Sequence, residues 1–126
     1  MRLGLHDATD RAAALRRLAA VERHALDGAT VEQMTRGCAL LDVIEDGRAV
    51  GSVAIDPQGQ RAVITAAASR GSATWQHLDM IECAMRRRGF RSLAMFTRRP
   101  GLVRRLVSLG YAGVGDGGRF ELEKAL

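Results

Sequence analysis

Lysine is almost missing from this chain of 126 residues: among nineteen basic side chains only Lys124 is lysine, and the rest are arginine. Set beside many alanines and glycines, that bias is the mark of a GC-rich genome. It does not by itself assign a nucleic-acid ligand, which would need a basic patch on one face. Cysteine is scarce too. Cys38 and Cys83 fall in a predicted strand and a predicted helix and read as two small buried hydrophobes, which excludes a disulfide framework. His6, His24 and His77 lie on different elements without metal-ligand spacing and read as surface or satisfied histidines. No apolar run approaches the roughly 20 residues of a membrane span. The opening MRLGLHDATDR has no apolar core of a secretory signal, so the cytoplasm is the expected compartment.

What is present suits one domain with a single core, 1–126: nearly half the residues are hydrophobic, in short runs, and the formal net charge is +5. Arg2–Leu5 reads as a short first strand, and Asp7 and Asp10 as N-cap candidates. Ala14, Leu18, Val21 and Ala25 then recur at helical spacing up to Gly28, a C′ glycine, and residues 30–35 suggest a second short helix. Cys38–Glu45 and Arg48–Ile55 read as strands joined by Asp46-Gly47, the signature of a type I′ hairpin. Asp56-Pro57-Gln58-Gly59 reads as a second turn, leading into a strand over Arg61–Ala66.

The segment Arg61–Gly89 reads as strand, loop and amphipathic helix. Ser72 or Thr74 would cap the helix, and Trp75, Leu78, Ile81 and Met85 would form its apolar stripe. Such a loop exposes backbone N–H groups that suit phosphate. Arg70, Gly71, Ser72 and Thr74 supply a guanidinium, two hydroxyls and helix-terminal amides; helix capping and a solvated arginine are the plain alternative. Arg86, Arg87 and Arg88 complement the helix dipole before Gly89. Phe90–Phe96 is a further strand. Pro100 opens a final helix with Leu102, Val103, Leu106 and Val107 inward, and Gly110 ends it. Tyr111–Val114 and Arg119–Glu123 would close the chain as a hairpin. A meander followed by strand–helix crossovers predicts an α/β (α+β) fold with a mixed, mostly antiparallel sheet and helices on both faces.

This order, with Asp46-Gly47, Val50-Gly51, Arg70-Gly71, Arg88-Gly89-Phe90 and Leu109-Gly110-Tyr111 as its punctuation, resembles the GNAT superfamily of acyl-CoA N-acetyltransferases over nearly the whole chain. The resemblance implies an acetyl-CoA loop over Ala66, Ala67, Arg70, Gly71, Ser72, Ala73 and Thr74. In the family that loop runs Arg or Gln, two residues, Gly, one residue, then Gly or Ala. Here Ala73 and Trp75 occupy the last two of those positions, and an indole is a poor fit where backbone must approach a phosphate. The tyrosine that often serves the family as general acid corresponds to Leu106, which carries no proton. These departures favour a GNAT-fold protein that is non-catalytic and acts through protein contacts or self-association. Compact arginine-rich chains of this kind resemble GNAT-like proteins of tailed phages, which would place it in a virion. The alternative is an active acyltransferase with acetyl-CoA as cofactor and an amine as acceptor.

Several residues carry two readings. Trp75 stacks on an adenine or a partner, or covers the sheet. Tyr111 is a catalytic acid or a packing residue. Asp42, Glu45 and Asp56 are candidate bases near the central strands, or respectively solvent-facing, solvent-facing and turn-capping. Arg86–Arg88, Arg98–Arg99 and Arg104–Arg105 would hold nucleic acid if they shared a face, or a protein surface, or simply solvate their helices.

Overall fold

Asp46 and Gly47 have φ of 49° and 82°, the two left-handed residues that a type I′ turn requires. They join β2 (Ala39–Glu45) to β3 (Arg48–Gln58). The computed structural model describes residues 2–24, 28–70, 74–116 and 119–126. Around that hairpin it builds β1 (Leu3–Asp7), β4 (Arg61–Ser69), β5 (Ser92–Thr97), β6 (Ala112–Asp116) and β7 (Arg119–Ala125) into one sheet, ordered β1-β2-β3-β4-β5-β7-β6. Only β4 and β5 pair in parallel; the other neighbours are antiparallel.

Helices cover both faces, as a two-sided apolar sheet requires. On one face α1 (Arg11–Leu18) and α2 (Val31–Thr35) pack Ala14, Leu18 and Val31 onto Leu40, Ala54 and Ala66. On the other, α3 (Thr74–Arg87) and α4 (Pro100–Ser108) bring Leu78, Ile81, Met85 and Leu106 onto Leu41, Val53, Ile55, Leu93 and Leu122. The caps follow local chemistry. Asp10 accepts the Ala13 N–H at 3.1 Å, and Thr30 and Gln33 form a reciprocal capping box at 3.2 and 2.8 Å.

The sequence reading needs correction at several points. Asp56 and Pro57 lie within β3, not in a turn. Beyond Ile55 the strand has lost its β2 partner, so a proline without an N–H costs no ladder bond on that side. β4 runs to Ser69, not Ala66, because Ala67, Ala68 and Ser69 pair with Val53, Ser52 and Gly51; pairing outweighs their poor strand propensity. The first helix tightens into a 3-10 turn over Ala19–His24, and Ala25 lies outside the described residues. Val107 is 54% exposed, since Leu102, Val103 and Leu106 already fill the inward stripe of a nine-residue helix. Cys83 is exposed and Cys38 half-buried ahead of β2, so neither is the core residue expected.

Two irregularities prepare the site. Val50 is passed over in the β2–β3 register and Thr65 in the β3–β4 register, a bulge on each of two adjacent strands. Gly51 sits between them, paired with Ser69. A Cβ there would meet the Ala68 carbonyl oxygen and come within 2.7 Å of the Ser69 Cβ, so this close approach needs glycine.

Candidate functional site

β4 and β5 part company. Their pairs run from Arg61↔Ser92 to Ile64↔Met95 and then stop, although β4 continues to Ser69 and β5 to Thr97. The parting begins at the Thr65 bulge. Past it β4 keeps only β3 as a neighbour, so its other edge faces a cleft in the middle of the sheet. Ala67 is exposed there, on the α3/α4 face, opposite the buried Val53 in register. Backbone polar groups along such an edge must find water or a ligand, and an extended chain bearing amides can pair with them as a strand does.

The rim of this cleft is basic. Arg70 follows β4, exposed, with its own N–H already donated to the Val50 carbonyl at 3.0 Å. Arg98 and Arg99 follow β5, and the Arg99 N–H donates to Thr97 Oγ1 at 3.1 Å just before α4. On α4 the Arg105 guanidinium lies over the Trp75 ring, 5.2 Å from its centre. Arg86–Arg88, by contrast, close α3 at the opposite end of the sheet, where Arg88 pairs with Asp7 at 3.2 Å. The arginine clusters therefore divide between the two ends of the sheet.

Of the expected loop residues, Ala66 points into the α1/α2 core, Ala67 faces the cleft and Arg70 stands at its rim. Thr74 opens α3. Gly71, Ser72 and Ala73 lie outside the described residues, as does the side chain of Thr74. Leu106 is 1% exposed and belongs to the core.

On the α1/α2 side of the Thr65 bulge lies an open cavity of about 510 Å³, lined by Gln33, Met34, Arg36, Cys38, Asp56 and Thr65. Its Cys38 Sγ is 3.5 Å from Thr65 Oγ1, and burial pushes the thiol up, which keeps it protonated. Asp56 accepts from Gln58 Nε2 at 3.0 Å and brings a carboxylate to the cavity wall. No local pattern in the sequence announces this cavity, because its residues come from three distant segments.

Asp42, Glu45 and Tyr111 make contacts that tie elements together. Asp42, read as solvent-facing, accepts from Arg17 at 3.2 Å and from Ser52 at 2.9 Å and ties α1 to the sheet. Glu45, also read as solvent-facing, lies 3.1 Å from Nε2 of the buried His77, whose Nδ1 has no partner among the described residues. Tyr111 is a packing residue with a polar tip. Its hydroxyl donates to Glu82 at 2.7 Å, and Lys124 reaches the same carboxylate at 3.1 Å. Burial and then the Glu82 carboxylate push the phenol well above its usual range, which suits it poorly to give up a proton. Among the described residues no cluster has the make-up of a metal site, and no helix is long and apolar enough to cross a membrane.

This architecture is that of the GNAT acetyltransferases. No family model and no curated protein matches the chain, but solved structures match it end to end. A GNAT family acetyltransferase from Elizabethkingia anophelis with acetyl-CoA bound superposes with a TM-score of 0.71 at 12% identity, over 98% of both chains. The GNAT domain of S. lividans PAT gives 0.70 at 16%, covering 99% of this chain and 90% of that one. PaiA N-acetyltransferase from Thermoplasma acidophilum in complex with coenzyme A gives 0.68 at 14%, over all of both chains. At these identities the likeness establishes the GNAT fold.

Proposed function

We propose that the chain binds acyl-CoA in the β4–β5 cleft and transfers the acyl group to an amine presented from the cavity on the other side of the Thr65 bulge. The observation that carries this is the loss of strand pairing past Ile64↔Met95, which leaves a slot with free strand edge in the centre of the sheet. Solved proteins of this fold hold acetyl-CoA or coenzyme A. The pantetheine arm, with its two amides, takes the place of the missing strand contacts and lays the thioester near the bulge. The amine nitrogen attacks the thioester carbon, backbone N–H groups of the β4 edge receive the developing oxyanion, and the C–S bond breaks to release CoA thiolate. Asp56 is the carboxylate in the cavity suited to take the amine proton. Leu106 donates nothing, so the thiolate takes its proton from solvent, and positioning supplies most of the rate.

A calorimetric titration with acetyl-CoA tests the reading: micromolar affinity is expected, with CoA release when amines are added. Asp56→Asn is expected to keep that affinity and lower the transfer rate by about 100-fold or more. A second reading is favoured by Leu106, sealed in the core, and by alanine and tryptophan at the loop positions of Ala73 and Trp75. It makes the chain a non-catalytic GNAT-fold protein working through protein contacts, in a phage particle in its narrowest form. Absence of binding at millimolar acetyl-CoA would select it.

A further inference from the structure

The contact between Trp75 and Arg105 joins the first turn of α3 to α4. β4 and β5 are parallel, so the chain leaves both strands at the same end of the sheet, and both following helices cover the same face. The indole–guanidinium pair therefore bridges the two helices that flank the cleft. At the same end of the sheet Arg70 follows β4, and Arg98 and Arg99 follow β5. Among the described residues none of these four guanidinium groups has a carboxylate partner, whereas those of Arg17, Arg61 and Arg88 do. A cation in the last turn of α4 suits the helix dipole, but the dipole does not account for its seat on the ring of another helix.

We infer that Arg105 is the phosphate anchor of the cleft. The inference rests on the acyl-CoA reading above and assigns how the nucleotide end of that ligand is held. One backbone donor at the loop is already used, because Arg70 spends its N–H on Val50, and Ala73 stands where the resemblance would put glycine. Side-chain donors take over. An exposed cation–π contact is weak, while a guanidinium fork on a phosphate forms two charge-assisted hydrogen bonds. Arg105 accordingly leaves the Trp75 ring for the phosphates when acyl-CoA enters, and the indole face opens to the ligand.

Trp75 is the only tryptophan, so its emission reports the exchange directly. Wild type, Arg105→Gln and Arg104→Gln are titrated with acetyl-CoA and with acetyl-pantetheine, which has the thioester arm without phosphate, by calorimetry and by tryptophan fluorescence. Arg104 points away from the inward stripe of α4 and controls for charge alone. The expected result is a tryptophan signal on adding acetyl-CoA to wild type, and a Kd about tenfold or more higher for Arg105→Gln. Acetyl-pantetheine affinity should be unchanged in that variant, and Arg104→Gln should bind acetyl-CoA within about twofold of wild type. If wild type binds acetyl-CoA and Arg105→Gln binds it equally well, or loses acetyl-pantetheine to the same degree, the anchor is overturned while the cleft reading stands. If wild type binds neither compound, both fall together.

Discussion

Leu106 stands where the resemblance to acetyltransferases points for a proton donor, and the structure spends that position on packing. Its side chain is 1% exposed, in a cluster with Leu93, Met85 and Tyr111. Truncation removes buried methyl groups and leaves a cavity, so Leu106→Ala should cost about 2–5 kcal/mol in urea denaturation. Leu106→Tyr, the change that would restore a phenol, must fit a ring and a hydroxyl into a filled core. It should destabilise by about 1–3 kcal/mol or more and bring no gain in acyl transfer. Faster transfer by the tyrosine variant at unchanged stability would mean that the position opens onto the cleft. Gly51 makes the complementary point on β3, opposite Ser69 at the far end of β4. The hairpin positions give glycine away through positive φ, but Gly51 is required by the neighbouring Ala68 and Ser69 backbone, which no local sequence pattern reveals.

Between elements, the Glu82–Tyr111–Lys124 network fastens α3 to the chain entering β6 and to β7. Because the folded state holds the Tyr111 proton more tightly than the unfolded chain, its stabilising contribution is complete below the ordinary phenol pKa of 10.0. Above that pH the unfolded chain ionises first, and stability falls as pH rises. Wild type should therefore lose stability above about pH 10 more steeply than Tyr111→Phe, as read from urea midpoints between pH 8 and pH 11. Parallel curves would place the titration elsewhere. Elements with local causes were legible in the sequence: the Asp46-Gly47 turn, the Asp10 cap, Pro100 at the start of α4. Those set by partners were not. Pro57 belongs to a strand because its neighbour on one side has ended, and β4 reaches Ser69 because β3 is there to pair with it. The site divides in the same way. Arg70 and the strand–loop–helix run were visible as local pattern. The cavity at Asp56 and the Trp75–Arg105 contact join segments far apart in the chain, and only folding brings them together.

At the scale of the whole molecule, a net charge of +5 matters less than where the paired and unpaired arginines lie. Arg17 and Arg61 are bound to carboxylates on the sheet and Arg88 to Asp7, while Arg70, Arg98, Arg99 and Arg105, which have no carboxylate partner among the described residues, stand at the end where the cleft opens. A field of that sign attracts a ligand with several phosphate charges, and salt screens it over a Debye length of about 8 Å at physiological ionic strength. Mass action then converts binding into stability. Acetyl-CoA at a hundredfold excess over its Kd should stabilise the fold by about 2.7 kcal/mol, which for a domain of this size raises Tm by roughly 10 °C. The two functional readings separate on this shift and on its salt dependence. Acyl-CoA held by the arginine rim gives a shift that shrinks steadily between low salt and about 0.5 M, because screening weakens the phosphate contacts and spares the pantetheine in its slot. A shift independent of salt would place the affinity in the pantetheine arm alone. No shift at millimolar acetyl-CoA would leave a GNAT fold whose cleft is unused, and would turn the basic rim into a surface for an acidic protein partner.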